Sequence, residues 1–260
     1  MLLSDRLFAP GALSVLFQPI VCVDGRHLKL HSLECLLRGP RDSNAASADV
    51  LFEYARRKRL EPQLDRACAA VSLETAAILP EHCRFSLNVS APTLGRDPEF
   101  PAFLAETART HDIDPRNLTV EIVEHSPCWD GPGFARALDA LRDMGVRIAL
   151  DDVGLGYSNY RMILDAAADY LKIDRYFVQG VHADPRRRTL LESVARLADA
   201  LGGTVVAEGV EHPEDLVALR EIGITLVQGY LFGQPQTAAE LTVAGWTCGD
   251  GIPRPSPLAA

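Results

Sequence analysis

Residues 148–160 read IALDDVGLGYSNY: an apolar run ends in two adjacent carboxylates, Asp151 and Asp152, and then in a loop with Gly154 and Gly156. Like charges held side by side raise each other's pKa and cost free energy unless they share a cation. A solvated turn is the plain alternative, because Asp and Gly are ordinary loop residues. The same pattern recurs along the chain. Glu34 and Arg38, Asn88, Glu121 and Glu124, Lys172 and Asp174, Glu208 and Glu211, and Gln228 all fall at the carboxyl end of apolar β-type runs. Singly, each has an everyday structural reading: a strand-end Asp caps the next helix, and a lysine lays its stem along the surface. Together they concentrate at one kind of strand end, where chance would scatter acids over both.

Oxygen ligands from Glu34, the Asn88 amide, Glu121, Asp151 and Asp152 suit Mg²⁺ or Mn²⁺ better than zinc, which prefers His and Cys. The seven histidines show no ligand spacing; His27 and His31 are four apart in what reads as strand. Carboxylates at this density imply two ions about 3.5–4 Å apart, the arrangement that clamps attacking and leaving oxygens in phosphoryl transfer. Arg38 and Lys172 are then the expected phosphate partners.

The elements that must position these groups alternate. Candidate strands are 14–22, 30–37, 84–89, 118–123, 146–151, 169–173, 204–208 and 224–228, and most are separated by segments with apolar residues three and four apart, such as 134–145 and 190–203. Pro115, Gly145 and the Gly202–Gly203 pair stand where helix should hand over to strand. Only VDGRHLK separates the first two strands, too short for a helical crossover, so they should pair antiparallel. The expectation is an α/β fold: a single (β/α)8 TIM-like barrel with the first strand antiparallel, whose strand ends converge on one face. An open doubly wound sheet is the competing topology, though no G-x-G-x-x-G follows a strand. Residues 1–12 read as an N-terminal extension, 13–245 as the barrel, and 246–260 as a flexible tail.

With 47% hydrophobic and 23% charged residues among 260, the composition is that of a globular chain. A formal net charge of −9 argues against sequence-independent binding to DNA, RNA or anionic membrane, which depends on Lys and Arg. An anionic substrate remains open where metal ions supply the positive charge. No uncharged apolar stretch of about 18 residues occurs, and the N-terminus lacks the pattern of a signal peptide. Six cysteines without a C-x-x-C pair favour reduced thiols and a cytoplasmic location.

These residues together resemble the EAL family, bacterial phosphodiesterases that open cyclic di-GMP to linear pGpG. The naming motif stands here as Glu34-Cys35-Leu36, followed by Leu37-Arg38. Similar blocks are QPIV (18–21), LNVS (87–90), EIVE (121–124), the aspartate loop (151–160), LKID (171–174), VVAEGVE (205–211) and QGYLFGQP (228–235). The resemblance implies Glu34, Asn88, Glu121 and Asp151 on one metal, and Asp151 with Asp152 serving a second. It implies an in-line attack by water on phosphorus, with Lys172 orienting that water and Glu208 assisting at the second metal or as proton acceptor. Gln18, Arg38, Asp174, Glu211 and Gln228 are the implied substrate-side contacts, and Glu124 steadies the loop after the aspartate pair. A homodimer is expected, and Ca²⁺ is expected to inhibit where Mg²⁺ or Mn²⁺ supports turnover. The chain departs from the family at Val153 (usually Phe), Leu155 (usually Thr), residues 158–160 and Val123 (usually Thr). Those changes bear on the loop and on dimer contacts rather than on the ligands. A catalytically silent receptor for the same dinucleotide and a pure protein-interaction module are the alternatives; silent members lack the motif glutamate or part of the aspartate pair, and both are present here.

Overall fold

The computed structural model describes residues 7–9, 11–24, 27–40, 46–123, 131–155 and 160–243. Eight strands close into a barrel in chain order: β1 (Ser14–Asp24), β2 (His27–Arg38), β3 (Phe85–Ser90), β4 (Leu118–Val123), β5 (Arg147–Leu150), β6 (Tyr170–Ile173), β7 (Thr204–Ala207) and β8 (Leu226–Gln228). β1 is antiparallel to both of its neighbours, β2 and β8, and every other pairing is parallel. The expected barrel and its reversed first strand are therefore both present.

The strands form where the sequence is rich in β-branched and large apolar residues, and they are buried on both faces because helices cover the outside. Helix entry and exit follow local chemistry. Pro132, Pro185 and Pro213 open their helices at the first position, where the missing N–H is no loss. Asp184 caps the helix Pro185–Ala200 by accepting from the backbone N–H groups of Arg186 and Arg187. Gly145 and Gly202, both in the left-handed region, end the helices that precede β5 and β7, as the sequence predicts. Pro115 instead starts a short 3-10 turn, Pro115–Asn117, which leads into β4.

Two details control what the barrel encloses. Ile20 pairs with Ser32 but Val21 pairs with Leu30, so His31 is an extra residue on β2, a β-bulge. Outside the barrel, α1 (Ala48–Lys58) and α2 (Glu61–Ala76) lead into β3, and α3 (Ala91–Arg96) follows it at once. The buried carboxylate of Asp65 on α2 accepts from Ser90 N (2.9 Å), Ser90 Oγ (2.5 Å) and Thr93 Oγ1 (2.5 Å), pinning the end of β3 to the helical shell.

Cys22, Cys35 and Cys68 are free, but Cys83 is disulfide-bonded. This corrects the expectation of reduced thiols throughout: spacing along the chain says little about which sulfurs meet in space. Glu124, Gly156, Ser158, Asn159, the tail 246–260 and most of residues 1–12 lie outside the described residues. No helix among the described residues is long and apolar enough to cross a membrane.

Candidate active site

The inner face of the barrel carries polar side chains at the level of the strand ends. Glu34 sits on β2 with Ser86 of β3 as its register partner, and Asn88 pairs with Glu121 across β3 and β4. Glu34 Oε1 accepts from Asn88 Nδ2 at 2.9 Å and Glu34 Oε2 from Gln228 Nε2 at 2.7 Å. The same Gln228 amide donates to Gln18 Oε1 at 3.2 Å, and Gln18 Nε2 donates in turn to the Gly233 carbonyl. Four strands are thus tied through neutral amides to one carboxylate.

Lys172 is the centre of the charge distribution. Its side chain is 2% exposed, and Nζ lies 2.5 Å from Glu121, 2.7 Å from Glu208, 3.3 Å from Glu34 and 3.4 Å from Asp151. Burial opposes its charge, yet Asp151, Glu121, Glu208 and Glu34 together hold the ammonium well above the usual lysine range. One ammonium cannot balance so many acids, and the remainder show it. Burial and the charge of Glu34 push Glu121 up to about 8. Burial drives Glu208 well above the carboxylate range. Burial and then Asp151 lift Asp152 to about 6. Glu34 runs the other way: burial would raise it, but Lys172 and the amides of Gln228 and Asn88 outweigh burial and keep it ionised.

The aspartate pair is aimed by the backbone. β5 ends at Leu150, and Asp152 has φ of 49°, in the left-handed region that Asp tolerates better than most residues. The chain therefore turns at Asp152 itself, two residues before Gly154 (φ 100°). As a result oxygens of Asp151, Asp152 and Glu208 all lie within 4.8 Å of one another. That spacing and an all-oxygen donor set fit a hard divalent cation. Glu34, Asn88 and Glu121 stand beside this group, engaged with Lys172 or with one another.

A cavity of about 250 Å³ opens over these groups, lined by Glu34, Asp151, Lys172, Asp174, Glu208 and Glu211 together with Gln18 and Gln228. Asp174 also caps a short turn by accepting from Tyr176 N at 2.7 Å, and Glu211 accepts from Gln179 Nε2 at 3.1 Å. Arg38 is placed differently from its neighbours: Nη1 donates to its own strand at Leu37 O, and the residue does not line the cavity. Sequence reasoning passed over two residues that do, Arg175 and the exposed Tyr230. Each stands one or two positions after a strand-end polar residue, in LKIDR and QGY, and that position was the available signal. The close approach that shapes this rim falls at Gly229, where a Cβ would lie 2.1 Å from the Val210 carbonyl oxygen.

The chain matches the EAL domain over residues 3–235. It is 33% identical over 244 residues to the probable cyclic di-GMP phosphodiesterase PdeG of Escherichia coli, covering 91% of this chain and 47% of that protein. It is 33% identical over 238 residues to the cyclic di-GMP phosphodiesterase NbdA of Pseudomonas aeruginosa, covering 86% of this chain and 29% of that protein. The chain thus spans less than half the length of these two relatives. Among solved structures it is similar to the Klebsiella pneumoniae BlrP1 calcium and cyclic di-GMP complex, with a TM-score of 0.77 and 27% identity over 89% of this chain and 57% of that one.

Proposed function

Because the chain belongs to the EAL-domain family, we propose that it hydrolyses cyclic di-GMP to linear pGpG with the help of two divalent ions, Mg²⁺ or Mn²⁺. The observation that carries this reading is the imbalance at the barrel mouth. Glu34, Glu121, Asp151, Asp152 and Glu208 converge there around Lys172, the one buried ammonium among the described residues. Such a cluster is matched by divalent cations and by no feature of a simple protein-docking surface. Bound ions would polarise phosphoryl oxygens and make a water more acidic.

The protein's own groups fall into roles around that chemistry. Asp151, Asp152, Glu34, Asn88 and Glu121 are the ligand set. Lys172 neutralises neighbouring carboxylates and presents N–H donors toward the reacting water. Glu208, held 2.7 Å from Lys172 and raised in pKa by burial, is suited to accept a proton from that water. Gln18, Asp174, Glu211 and Gln228 line the cavity and are assigned to the substrate side, whereas Arg38, assigned there from the sequence, does not line it. PdeG and NbdA, named as a probable and as a cyclic di-GMP phosphodiesterase, support the proposed activity.

The test is product identification after incubation of the chain with several cyclic dinucleotides and Mg²⁺. Linear pGpG from cyclic di-GMP is expected, with Glu34→Ala and Lys172→Ala abolishing it and Ca²⁺ suppressing it. Wild-type turnover in either variant removes the assignment, and tight binding without turnover makes the chain a receptor.

A further inference from the structure

Directly beneath the carboxylate cluster the barrel interior divides into two halves. Residues two positions down each strand from the cluster face the same interior. On β1, β7 and β8 these are Ile20, Val206 and Leu226, which form an apolar cluster of their own. On β2, β3 and β4 they are Ser32, Ser86 and Thr119, which are 4%, 2% and 6% exposed. The three hydroxyls have no hydrogen-bond partner among the described residues, although buried hydroxyls are ordinarily paired. They line a cavity that also touches Glu121 and Lys172 from below.

The β-bulge completes this half. By adding one residue to β2 it brings His31 to the same cavity as its neighbour Ser32, where a regular strand would send the two to opposite faces. His31 Nε2 meets Tyr170 OH at 3.2 Å, with the rings edge to face at 5.4 Å, and the two line the cavity on the side away from the cluster. Burial, Arg84 and Arg147 push His31 down to about 4, so its ring is neutral and adds no charge under Lys172. The cavity gives the centre of a water molecule about 10 Å³, which is room for one, and such a site needs two to four polar partners.

We infer that this chain binds a single internal water between the hydroxyls of Ser32, Ser86 and Thr119 and the underside of the Glu121–Lys172 pair, and that this water positions the pair from the side away from substrate. Ile20 and Val206 of the apolar half, with Ala149, close the rest of the same cavity and offer no such partners, so the water's hydrogen bonds must come from the polar half. Thr119 and Ser86 are positioning residues on this account. Their effect on turnover rests on the phosphodiesterase reading, whereas the water itself does not.

The experiment is a high-resolution crystal structure of the full chain alongside Thr119→Val and Ser86→Ala, with steady-state kinetics on all three. Density for a water within hydrogen-bond distance of Thr119 Oγ1 and of Glu121 or Lys172 is expected in the wild type and is lost in Thr119→Val. kcat is expected to fall about 10-fold with KM little changed, as for groups that orient metal ligands, and Thr119→Ser is expected to restore it. Hydroxyls bonded to backbone carbonyls around a dry cavity overturn the inference. So does a bound water whose loss leaves kcat unchanged. A chain with the water but without any turnover defeats the proposed function instead, and the density tells the two failures apart.

Discussion

Asp65 and Glu121 are both 1% exposed, yet their surroundings have little in common. Asp65 is met by one backbone N–H and two hydroxyls, all neutral, and joins a helix to the end of β3. Glu121 is met by a shared ammonium and crowded by Glu34 and Asp151. Neutral donors fix Asp65 through Oδ2 without any added charge, with its buried Oδ1 left unpaired among the described residues. A crowded carboxylate is provisional, and its neighbourhood is completed only by added positive charge. The first environment belongs to scaffolding and the second to a site.

The largest way to probe that contrast is Lys172→Met, which leaves four carboxylates without their common partner. Removing one member of a buried charge cluster costs about 3–5 kcal/mol, so a fall in Tm of many degrees is expected in EDTA. Mg²⁺ or Mn²⁺ should recover part of it, because a divalent ion replaces the lost charge; a Tm equal to wild type in EDTA breaks the comparison. Asp65→Ala comes next. It removes the acceptor of the half-buried Ser90 N and Oγ and of the buried Thr93 Oγ1, at about 1–3 kcal/mol for an unmet buried group, and metal should restore none of it in thermal melts.

The pH dependence sharpens the scaffold side. Burial raises Asp65 from 3.8 to about 6, against the pull of Ser90 and Thr93, so the folded protein holds this proton more tightly than the unfolded chain. Stability from that proton is fully present below pH 4 and is lost as pH rises through 6. The span between 3.8 and about 6 corresponds to roughly 3 kcal/mol. Wild type should therefore lose stability relative to Asp65→Asn between pH 4 and pH 6, read from paired denaturant melts; a constant difference refutes it. The smallest effect belongs to the loop. Val153 borders an apolar cavity of about 280 Å³ with Ile163, Ile173 and Phe177. Val153→Phe with Leu155→Thr should fill part of it, raising Tm by a few degrees and turnover no more than about threefold, near the limit of what cavity filling delivers. A loss of stability shows that the smaller Val is already the better fit.

The barrel was legible because alternating apolar runs leave little choice of architecture, and β4 falls on its predicted bounds, 118–123. The β1–β2 hairpin was cut short at 22 and 30 because VDGRHLK reads as turn; the ladder continues to Asp24 opposite His27 because backbone pairing does not require apolar side chains. The helix expected over 190–203 begins earlier, at Pro185, where PRRRT hides its periodicity but the Asp184 cap marks the start. Of the site, the acids and Lys172 were readable from their strand-end positions. The bulge at His31 was not, since register is a property of two strands and leaves no mark on either alone. Nor was the Arg38 geometry, or the Cys83 pairing.

The reversed β1 changes how the mouth of the barrel is reached. Its start, at Ser14 opposite Arg38, lies on the same rim as the carboxylates, and its tight connection to β2 lies at the opposite end. The chain therefore departs from this rim along β1 and arrives at it along the other strands. Gln18, four residues into that departing strand, touches Gln228 and, through it, Glu34. A pull on the polypeptide ahead of Ser14 has only two hydrogen bonds to cross before it reaches the motif glutamate, a lever arm that a barrel with eight parallel strands does not possess.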